Sequence, residues 1–406
     1  MKNLEELILD SSATQAVPDA FFAKFGLRRN PFPANRTIMP EVLYNQDQAI
    51  TRFAEIFRQI LVGEPQRRAL AVLAGTGGGK THFLRHCRWS AGMALERMSR
   101  ALVFVEFQAG SGKLQDITRE VLSACDSFLR DSRGEDFVGA LVEGLSTEDD
   151  PLRLIRQEDL RAVAQNLLEA HKPGFKPKDR AGVFGFEVLR ELSRRWLSGA
   201  TLTQTEKKYL GVTSRIDTAS YAVRVITETL KVGRHLGLFE GLVLCLDEIE
   251  TIFTRGTRAS HYQSFLQDLR YLYDESVKDG NGYSLLLVSA STQYGAQLLR
   301  QVNYPVFQRL GFEQDQRVSL EPVAGVDQAK LFAQAYIDFE QSQFKKEFSQ
   351  KNSKHFPALL SDSDIEQSYL TASGPNPTPR KEISQAPLLD ALHKSVEQKK
   401  TAENQS

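Results

Sequence analysis

Several short apolar runs along the chain predict the buried strands of a parallel β-sheet. Strands are predicted over residues 69–73, 101–107, 241–246 and 283–289. Continuous apolar runs of this length are typical of strands covered on both faces, because neither face needs polar side chains. Apolar positions also recur at helical spacing, as in residues 47–62. The pattern therefore predicts an α/β fold in which helices flank a parallel sheet.

A long helical insertion is predicted between the second and third strands. Two consecutive strand–helix–strand units need only about 60–70 residues, whereas 167 positions separate Lys80 from Asp247. The inserted segment is therefore placed at about residues 131–215, which are charged and have helical patterning. Further helices are predicted over residues 81–98, 114–130 and 217–236, and throughout much of the chain beyond residue 324. The polar residues 396–406 are predicted to form a disordered tail.

The composition excludes several classes of function. Lysine plus arginine and aspartate plus glutamate number 51 each, so any DNA contact must come from a local basic patch. No apolar run approaches the length of about 20 residues that crosses a bilayer. The N-terminus lacks the basic and apolar regions of a signal peptide. The three cysteines, Cys87, Cys125 and Cys245, are interpreted as buried free thiols, which predicts a cytoplasmic protein without a membrane partner.

A glycine-rich segment directly after the first predicted strand has the composition of a phosphate-binding loop. Its residues are Ala74, Gly75, Thr76, Gly77, Gly78, Gly79, Lys80 and Thr81, with His82 next in the chain. Glycines let backbone N–H groups and a helix N-terminus face phosphate oxygens. Lys80 is predicted to reach the outer phosphates and Thr81 to bind Mg²⁺, which indicates an ATP site. The usual pattern begins with glycine rather than Ala74, and a glycine-rich turn without a ligand is the alternative.

Two adjacent carboxylates, Asp247 and Glu248, directly follow the third predicted strand. The carboxyl ends of parallel strands are where open α/β sheets bind ligands. Asp247 is therefore predicted to hold Mg²⁺, directly or through water. Glu248 is predicted to orient and deprotonate the attacking water. A strand that simply ends in surface acids is the alternative.

The next predicted strand ends in hydroxyl-bearing side chains. Ser291 and Thr292 follow the apolar residues 285–288 and are expected beside the acidic pair, because the strands are parallel. A hydroxyl group at this position is predicted to sense the γ-phosphate or to hold the attacking water. Ordinary turn chemistry is the alternative, since serine and threonine favour strand ends.

The phosphate loop, the acidic strand end, the hydroxyl-tipped strand and the helical C-terminal part together resemble an AAA+ ATPase over about residues 25–395. This resemblance implies a P-loop NTPase fold with a C-terminal helical lid, the cofactors ATP and Mg²⁺, and hydrolysis of ATP to ADP and phosphate. It divides the chain into an N-terminal arm (1–45), an ATPase core with the insertion (46–323) and a lid (324–395).

An arginine finger is implied by the same resemblance. Residues 303–309, followed by residues 318–322, resemble a segment of initiator-type and transposition-regulator AAA+ proteins. By this match Arg309 is expected to reach the γ-phosphate of a neighbouring subunit in a homo-oligomer. Arg300 is the second candidate, and a surface salt bridge is the alternative role.

A second nucleotide-sensing arginine is implied near the C-terminus. Residues 372–380 resemble the start of the last lid helix of AAA+ proteins, although extra prolines lengthen the motif. The resemblance assigns the sensing role to Arg380. A proline-rich linker is the alternative.

The N-terminal arm resembles that of secretion- and transposition-type AAA+ ATPases through residues 25–27 and 30–32. In those proteins the arm lies against the adenine. The resemblance therefore implies that Pro31, Ile38 and Tyr44 line an adenine slot. Hydrophobic docking of the arm would explain the same residues.

A narrower resemblance covers about residues 186–253. Residues 195–199, 209–212 and 237–242 carry the patterns W-L-x-G, L-G-V and G-L in that order, before a D-E-x-E strand end. This order resembles the ATP-binding protein family associated with BREX-type bacteriophage-defence islands. It implies a role in phage defence together with partner proteins.

Three functions remain open at this point. The favoured one is an oligomeric ATPase, associated with double-stranded DNA, that acts as a motor or loader in a defence or mobile-element system. The others are a nucleotide-gated switch that recruits a partner effector and a protein-remodelling ATPase without nucleic acid. Arg190, Arg194 and Arg195 form one of several basic clusters that could meet DNA, although such clusters are usually charged helix faces. Glu248 argues against a scaffold that binds ATP without hydrolysing it.

Overall fold

The computed structural model describes residues 19–34, 37–62, 68–98, 100–108, 115–174, 185–216, 218–254, 259–277, 284–348, 356–374 and 381–405. The chain divides into two compact units, each with its own hydrophobic core. The sheet unit comprises Asp47–Ala74 and Cys87–Ser319. The helical unit comprises Met1–Gln46, Gly75–His86 and Leu320–Ser406.

The sheet unit is built on a five-stranded parallel sheet. Its strands are β1 (Ala69–Leu73), β2 (Leu102–Gln108), β3 (Gly241–Asp247), β4 (Ser284–Ser291) and β5 (Arg317–Ser319). They lie in the order β2-β3-β4-β1-β5, and each neighbouring pair is parallel. β1 and β3 are buried at every position, which explains their continuous apolar sequences. The predicted parallel α/β fold is confirmed.

Helices make up most of the remaining described chain. In chain order they are α1 (Ala20–Lys24), α2 (Asp47–Val62), α3 (Lys80–Arg97), α4 (Gln115–Arg133), α5 (Phe137–Ser146), α6 (Glu158–His171), α7 (Phe186–Leu197), α8 (Gln204–Leu210), α9 (Ala219–His235), α10 (Thr251–Thr254), α11 (Ala259–Val277), α12 (Gln293–Val302), α13 (Tyr304–Arg309), α14 (Gly325–Glu347), α15 (Asp362–Ala372) and α16 (Gln385–Gln405). None of the described helices is both long and apolar enough to cross a membrane.

The described part of the insertion is helical, as predicted, and ion pairs hold α7 against its neighbours. Arg190 lies 2.6 Å from a carboxylate oxygen of Asp136, and Arg194 lies 2.6 Å from one of Asp126. Both aspartates are buried. Their burial is tolerated because each carboxylate accepts charge-assisted hydrogen bonds from an arginine.

The helical unit packs the N-terminal arm against α14, α15 and α16. Its core contains Phe32, Phe332, Tyr336, Tyr369 and Leu388, none of which is more than 1% exposed. A short antiparallel pair joins β6 (Val323–Ala324) to β7 (Glu382–Ile383) and brings the chain before α14 next to the chain before α16. Burial of side chains of this size is worth about 1.5–3 kcal/mol each.

A fully buried carboxylate fixes the arm to α14. Glu340 has no exposed surface and accepts hydrogen bonds from Arg28 at 3.2 and 3.3 Å and from Arg29 at 3.3 Å. A buried carboxylate is costly unless it is paired and hydrogen-bonded. The arginine pair therefore stabilises both Glu340 and the position of the arm.

The last helix, α16, extends through residues 396–405, where the polar composition predicted a disordered tail. The difference has a tertiary cause. Val396 is fully buried, and Lys399 Nζ donates to the carbonyl oxygen of Leu359 at 2.7 Å. The buried side chain of Val396 helps to dock this otherwise polar part of the helix. The average composition of residues 396–406 does not reveal such a contact.

Gly311→Ala is expected to destabilise the sheet unit more than Gly134→Ala. Both glycines have left-handed φ angles, +80° and +73°, so both substitutions strain the backbone similarly. An added Cβ at Gly311 would lie 3.0 Å from the carbonyl carbon of Ala69 in β1, whereas nothing lies within 4 Å at Gly134. We expect losses of about 3 and about 1 kcal/mol, respectively, in urea denaturation. Equal losses would contradict the close approach of Gly311 to β1.

Candidate nucleotide-binding site

The glycine-rich loop belongs to the helical unit and has the backbone geometry of an anion-binding turn. Gly77 and Gly79 have φ angles of +71° and +88°, which side-chain-bearing residues rarely adopt. The N–H of Gly78 donates to the carbonyl oxygen of Gly75 at 3.1 Å, which closes the turn. α3 begins at Lys80, so the first N–H groups of an 18-residue helix follow directly. Turns of this kind, continued by a helix N-terminus, attract phosphate.

Lys80 is largely buried at the base of this loop. Lys80 has 9% of its surface exposed, and its Nζ donates to the carbonyl oxygen of Gly75 at 3.2 Å. The ammonium group is thus held within the turn rather than extended into solvent. Thr81 follows on the first turn of α3 and is half-buried.

His82 and His86, one helical turn apart on α3, bind the backbone of the N-terminal arm. His82 Nε2 lies 2.9 Å from the carbonyl oxygen of Met39, and His86 Nδ1 lies 2.6 Å from that of Pro40. Burial lowers the pKa of His82. Because a carbonyl oxygen can only accept, Nε2 is the donor in this hydrogen bond. The imidazole of His82 therefore contacts the arm, and its predicted place in the phosphate site stays a prediction.

The residues predicted to line an adenine slot all lie in the helical unit. Pro31 is buried and Ile38 is half-buried. Tyr44 packs edge-to-face on Phe332, with ring centroids 5.6 Å apart. These contacts support docking of the arm, and contact with adenine stays a prediction.

In the sheet unit, the carboxyl ends of β1, β4 and β3 share one edge. Leu73 of β1 is in register with Ser291 of β4, and the N–H of Ala74 donates to the carbonyl oxygen of Ser291 at 3.2 Å. β3 ends on the other side of β4 with Asp247, which is 1% exposed. Asp247 Oδ1 accepts a hydrogen bond from the N–H of Glu248 at 2.9 Å. The strand order thus brings a buried carboxylate to the edge from which β1 leaves.

Glu248 adopts a strained backbone conformation. Its φ angle is +52°, whereas the other described non-glycine residue with a positive φ is Asn45. A left-handed conformation costs an ordinary L-residue about 1–2 kcal/mol. The Glu248 side chain is exposed, and its carbonyl oxygen accepts the Thr251 hydroxyl at 2.7 Å. Strain of this kind persists when the surroundings fix it, and it is concentrated at functional sites.

Ser291 is completely buried, and its hydroxyl donates to Glu250 Oε2 at 2.9 Å. No role was assigned to Glu250 from the sequence. The D-E-x-E spacing, together with a serine at the end of a neighbouring strand, is the sequence signal that could have identified this contact. Gly295 makes the pair possible, because an added Cβ there would lie 2.4 Å from Glu250 Cβ and 2.6 Å from Ser291 Oγ. The two side chains therefore form a tightly packed polar contact at the sheet edge.

Thr292 has a separate structural role. Its side chain accepts the N–H of Gly295 at 3.0 Å and thereby caps the N-terminus of α12. Ser291 is therefore the last residue of β4, whereas Thr292 is the N-cap residue of α12. A catalytic role for either residue stays a prediction.

The predicted arginines lie in different environments. Arg309 forms a two-point ion pair with Asp274 of its own chain, at 2.6 and 3.3 Å, and donates to the carbonyl oxygen of Pro305 at 3.1 Å. Arg300 is exposed in the last turn of α12. Arg380 lies outside the described residues. Arg309 thus forms a salt bridge within its own chain, which is the alternative role stated from the sequence. To act between subunits, its guanidinium would have to leave Asp274.

The residues present fit Mg²⁺ with a nucleoside triphosphate. Thr81 and Asp247 offer oxygen atoms, the ligands that Mg²⁺ prefers, and Mg²⁺ is commonly held by one or two carboxylates together with substrate phosphates. Gly77 and Gly79 supply the turn for phosphate, and Lys80 supplies a cation. Each of these groups is of a kind that suits the cofactors predicted from the sequence, and their use at one nucleotide stays a prediction.

Replacement of Glu248 by glycine is expected to stabilise the protein relative to replacement by alanine. Both variants lack the carboxylate, but only glycine adopts a φ of +52° without strain. We expect Glu248→Gly to unfold with a free energy about 1 kcal/mol higher than Glu248→Ala. The measurement is urea denaturation of the two variants side by side. Equal stability would show that the backbone at Glu248 is not strained.

Comparison with protein families gives a match over part of the chain. Residues 180–321 match the model of the family described as BREX system ATP-binding protein BrxC/D. This segment contains β3, which ends at Asp247, then Glu248, and β4, which ends at Ser291. No curated protein sequence matches the chain.

Solved structures with a distant similarity come from Aeropyrum pernix. The Orc1 protein in complex with DNA has a TM-score of 0.42 and 13% identity, over 90% of this chain and 62% of that one. The Orc2 protein in its ADP form has a TM-score of 0.42 and 12% identity, over 91% of this chain and 72% of that one. The chain thus spans about three fifths of the Orc1 chain that it matches.

The family match confirms the resemblance predicted from the sequence. Over residues 180–321, this chain is similar to the BREX system ATP-binding proteins BrxC and BrxD.

Proposed function

We propose that this protein binds ATP with Mg²⁺ and hydrolyses it to ADP and phosphate. The observation that carries the proposal is the parallel strand order β3-β4-β1. The chain runs from the end of β1 directly into the glycine-rich loop, and β3 ends at the same edge with the buried Asp247. The proposal is that the loop and the acidic strand end act on one nucleotide. The similarity of residues 180–321 to ATP-binding proteins supports it.

The phosphate chain is held by the loop. Backbone N–H groups of residues 75–80 and the first turn of α3 donate to phosphate oxygens, because the glycines at 77 and 79 permit the required turn. Lys80 moves its ammonium from the Gly75 carbonyl oxygen to the outer phosphates. Thr81 and Asp247 hold Mg²⁺, which neutralises charge on the phosphates when bound.

Glu248 is the general base in this proposal. Its carboxylate is exposed at the sheet edge, next to Asp247 in the chain, and accepts a proton from the attacking water. The strained backbone sets the direction in which the carboxylate leaves β3, so the strain serves orientation. Ser291, held by Glu250 at 2.9 Å, keeps an oxygen lone pair with which to position the water or sense the γ-phosphate.

The full site is proposed to form between subunits of a homo-oligomer. An arginine of the neighbouring subunit stabilises the charge that develops on the γ-phosphate. Arg309 is the residue indicated by the AAA+ resemblance, and its ion pair with Asp274 would have to open. Arg300 is exposed and needs no such rearrangement. A role for Arg380 as a second sensor belongs to the same proposal.

The cellular role proposed is that of a motor or loader in a phage-defence system, working on double-stranded DNA with partner proteins. The similarity to the BREX family supports a role in phage defence. The resemblance to AAA+ ATPases supports an association with DNA. One observation favours the nucleotide-gated switch as a second candidate. Arg190, Arg194 and Arg195 are paired with Asp136, Asp126 and Glu206, respectively, so this basic cluster offers little net positive charge to DNA phosphates.

Steady-state ATP hydrolysis per subunit should rise with protein concentration and rise further with duplex DNA. The physical reason is that each site would be completed by a neighbouring subunit and that DNA would assemble the subunits. Glu248→Gln is the matched control, because it keeps the side-chain shape and removes the base; it should bind ATP and lose turnover by about 10²-fold or more. Turnover retained in Glu248→Gln would remove Glu248 from the catalytic role. Turnover indifferent to DNA would favour the switch.

The same assay separates the two arginines. Under the in-trans proposal, an inactive arginine variant regains turnover when it is mixed with Glu248→Gln, because each supplies what the other lacks. We expect this rescue for Arg300→Ala or Arg309→Ala but not for both. A loss of thermal stability without rescue would assign the residue to packing, and rescue by neither variant would contradict an arginine finger at these positions.

A further inference from the structure

Residues 195–216 form a basic stretch around α8, in a chain whose net charge is zero. With one acidic side chain, Glu206, and four cationic ones, this stretch carries a net charge of +3. The cationic side chains are Arg195, Lys207, Lys208 and Arg215. A chain without net charge can attract a polyanion only through a local patch of this kind.

Hydrogen bonds bring the two arginines to the loop that connects α7 with α8. Arg195 donates to the carbonyl oxygen of Thr201 at 3.3 Å and pairs with Glu206 at 2.7 Å. Arg215 donates to the carbonyl oxygen of Gly199 at 3.1 Å. The two guanidinium groups therefore bind backbone positions only two residues apart, although 20 positions separate them in the sequence.

The two lysines lie close to the same loop. Thr203, the last residue of the loop, caps α8. Lys207 and Lys208 lie about 6–8 Å from it along the helix axis. The chain then folds back, because the N–H of Val212 donates to the carbonyl oxygen of Lys207 at 3.0 Å. We call the resulting region the α8 surface, and its members are Thr201, Gln204, Thr205, Lys207, Lys208 and Arg215.

Three cations of this region keep their charge available to a ligand. Arg195 is paired with Glu206. Lys207, Lys208 and Arg215 form no ion pair with any acidic residue that the structure describes. Lys208 and Arg215 are exposed, and Lys207 is half-buried. The α8 surface therefore offers three positive charges that are not neutralised by direct contact with an acid.

The other side chains favour nucleic-acid phosphates over a protein as the partner. The exposed Thr201, Gln204 and Thr205 carry hydroxyl and amide groups, which commonly bind phosphate and sugar oxygens. Protein interfaces usually have an apolar core, but the large aliphatic side chains of residues 195–216 are at most 5% exposed. These are Leu197, Leu202, Leu210, Val212 and Ile216. Duplex DNA carries one charge per about 1.7 Å of helix axis, so a small surface faces several phosphates.

We propose that the α8 surface binds the phosphate backbone of double-stranded DNA, with Lys207, Lys208 and Arg215 as its cationic contacts. This inference rests on the proposed function, which includes an association with DNA, and it locates that association. The surface is held in place, because Trp196 Nε1 donates to the carbonyl oxygen of Ser214 at 3.1 Å. Phosphate contacts carry no sequence information, so binding should not depend on the DNA sequence. It should also need no nucleotide.

The test is fluorescence anisotropy of a labelled duplex, titrated with protein at several salt concentrations without nucleotide. The test variant combines Lys207→Gln, Lys208→Gln and Arg215→Gln. The matched control removes three exposed cations elsewhere and changes the net charge equally; it combines Arg130→Gln, Lys346→Gln and Lys394→Gln. We expect the test variant to bind with a Kd about 10²-fold higher near 0.1 M salt, because three phosphate contacts are lost. The slope of log K against log salt should become shallower by about 2.7, and the control should keep the wild-type slope.

Wild-type affinity and slope in the test variant would overturn the α8 surface and leave the association with DNA to another surface. An equal loss in the control would overturn it too, because overall charge would then explain the effect. Poly-glutamate that competes as well as unlabelled duplex would assign the surface to an acidic protein segment instead.

If the test variant does not fold, the double variant Lys207→Gln/Lys208→Gln decides, since it keeps the hydrogen bond from Arg215 to Gly199. Its slope should become shallower by about 1.8, and an unchanged slope would contradict the inference. No binding of duplex by the wild type would remove DNA from the proposed function together with the α8 surface, whereas the ATPase proposal is decided separately by turnover.

Discussion

The parallel pairing of β1 with β4 on one side and β5 on the other is the constraint on which the rest of the site depends. β1 is buried along its whole length, so its register with Leu287–Ser291 cannot shift without exposing apolar side chains or unpairing the sheet. Gly311 packs against the start of β1 and allows the chain to pass there. The direction in which β1 ends therefore fixes where Ala74, the last residue of the sheet unit before the glycine-rich loop, leaves the sheet.

The sheet edge combines a rigid carboxylate with a strained one. Asp247 is buried and hydrogen-bonded by the next peptide group, so its position is set by β3. Glu248 leaves the strand in a left-handed conformation and is exposed. Adjacent acids in one extended strand would point to opposite faces. The positive φ at Glu248 breaks that alternation, which suits two carboxylates that are proposed to serve the same phosphate group.

The sequence predicted the strands, the helical insertion and the glycine-rich loop because these depend on local patterns. Continuous apolar runs indicate strands that are buried on both faces, and clustered glycines indicate turns with left-handed backbone conformations. The contacts of Arg309 with Asp274, 35 positions away, and of Ser291 with Glu250, 41 positions away, depend on how distant segments pack, and no local pattern encodes them. The same holds for Val396, whose burial makes the polar C-terminal segment a docked helix.

The most direct test of the account is calorimetric titration of Mg²⁺ and ATP into the wild-type protein and into Lys80→Ala. The account predicts one nucleotide bound per chain by the wild type and a loss of binding in Lys80→Ala at unchanged thermal stability. Wild-type affinity in Lys80→Ala, or no binding by the folded wild-type protein, would contradict the claim that the loop after β1 is a nucleotide site.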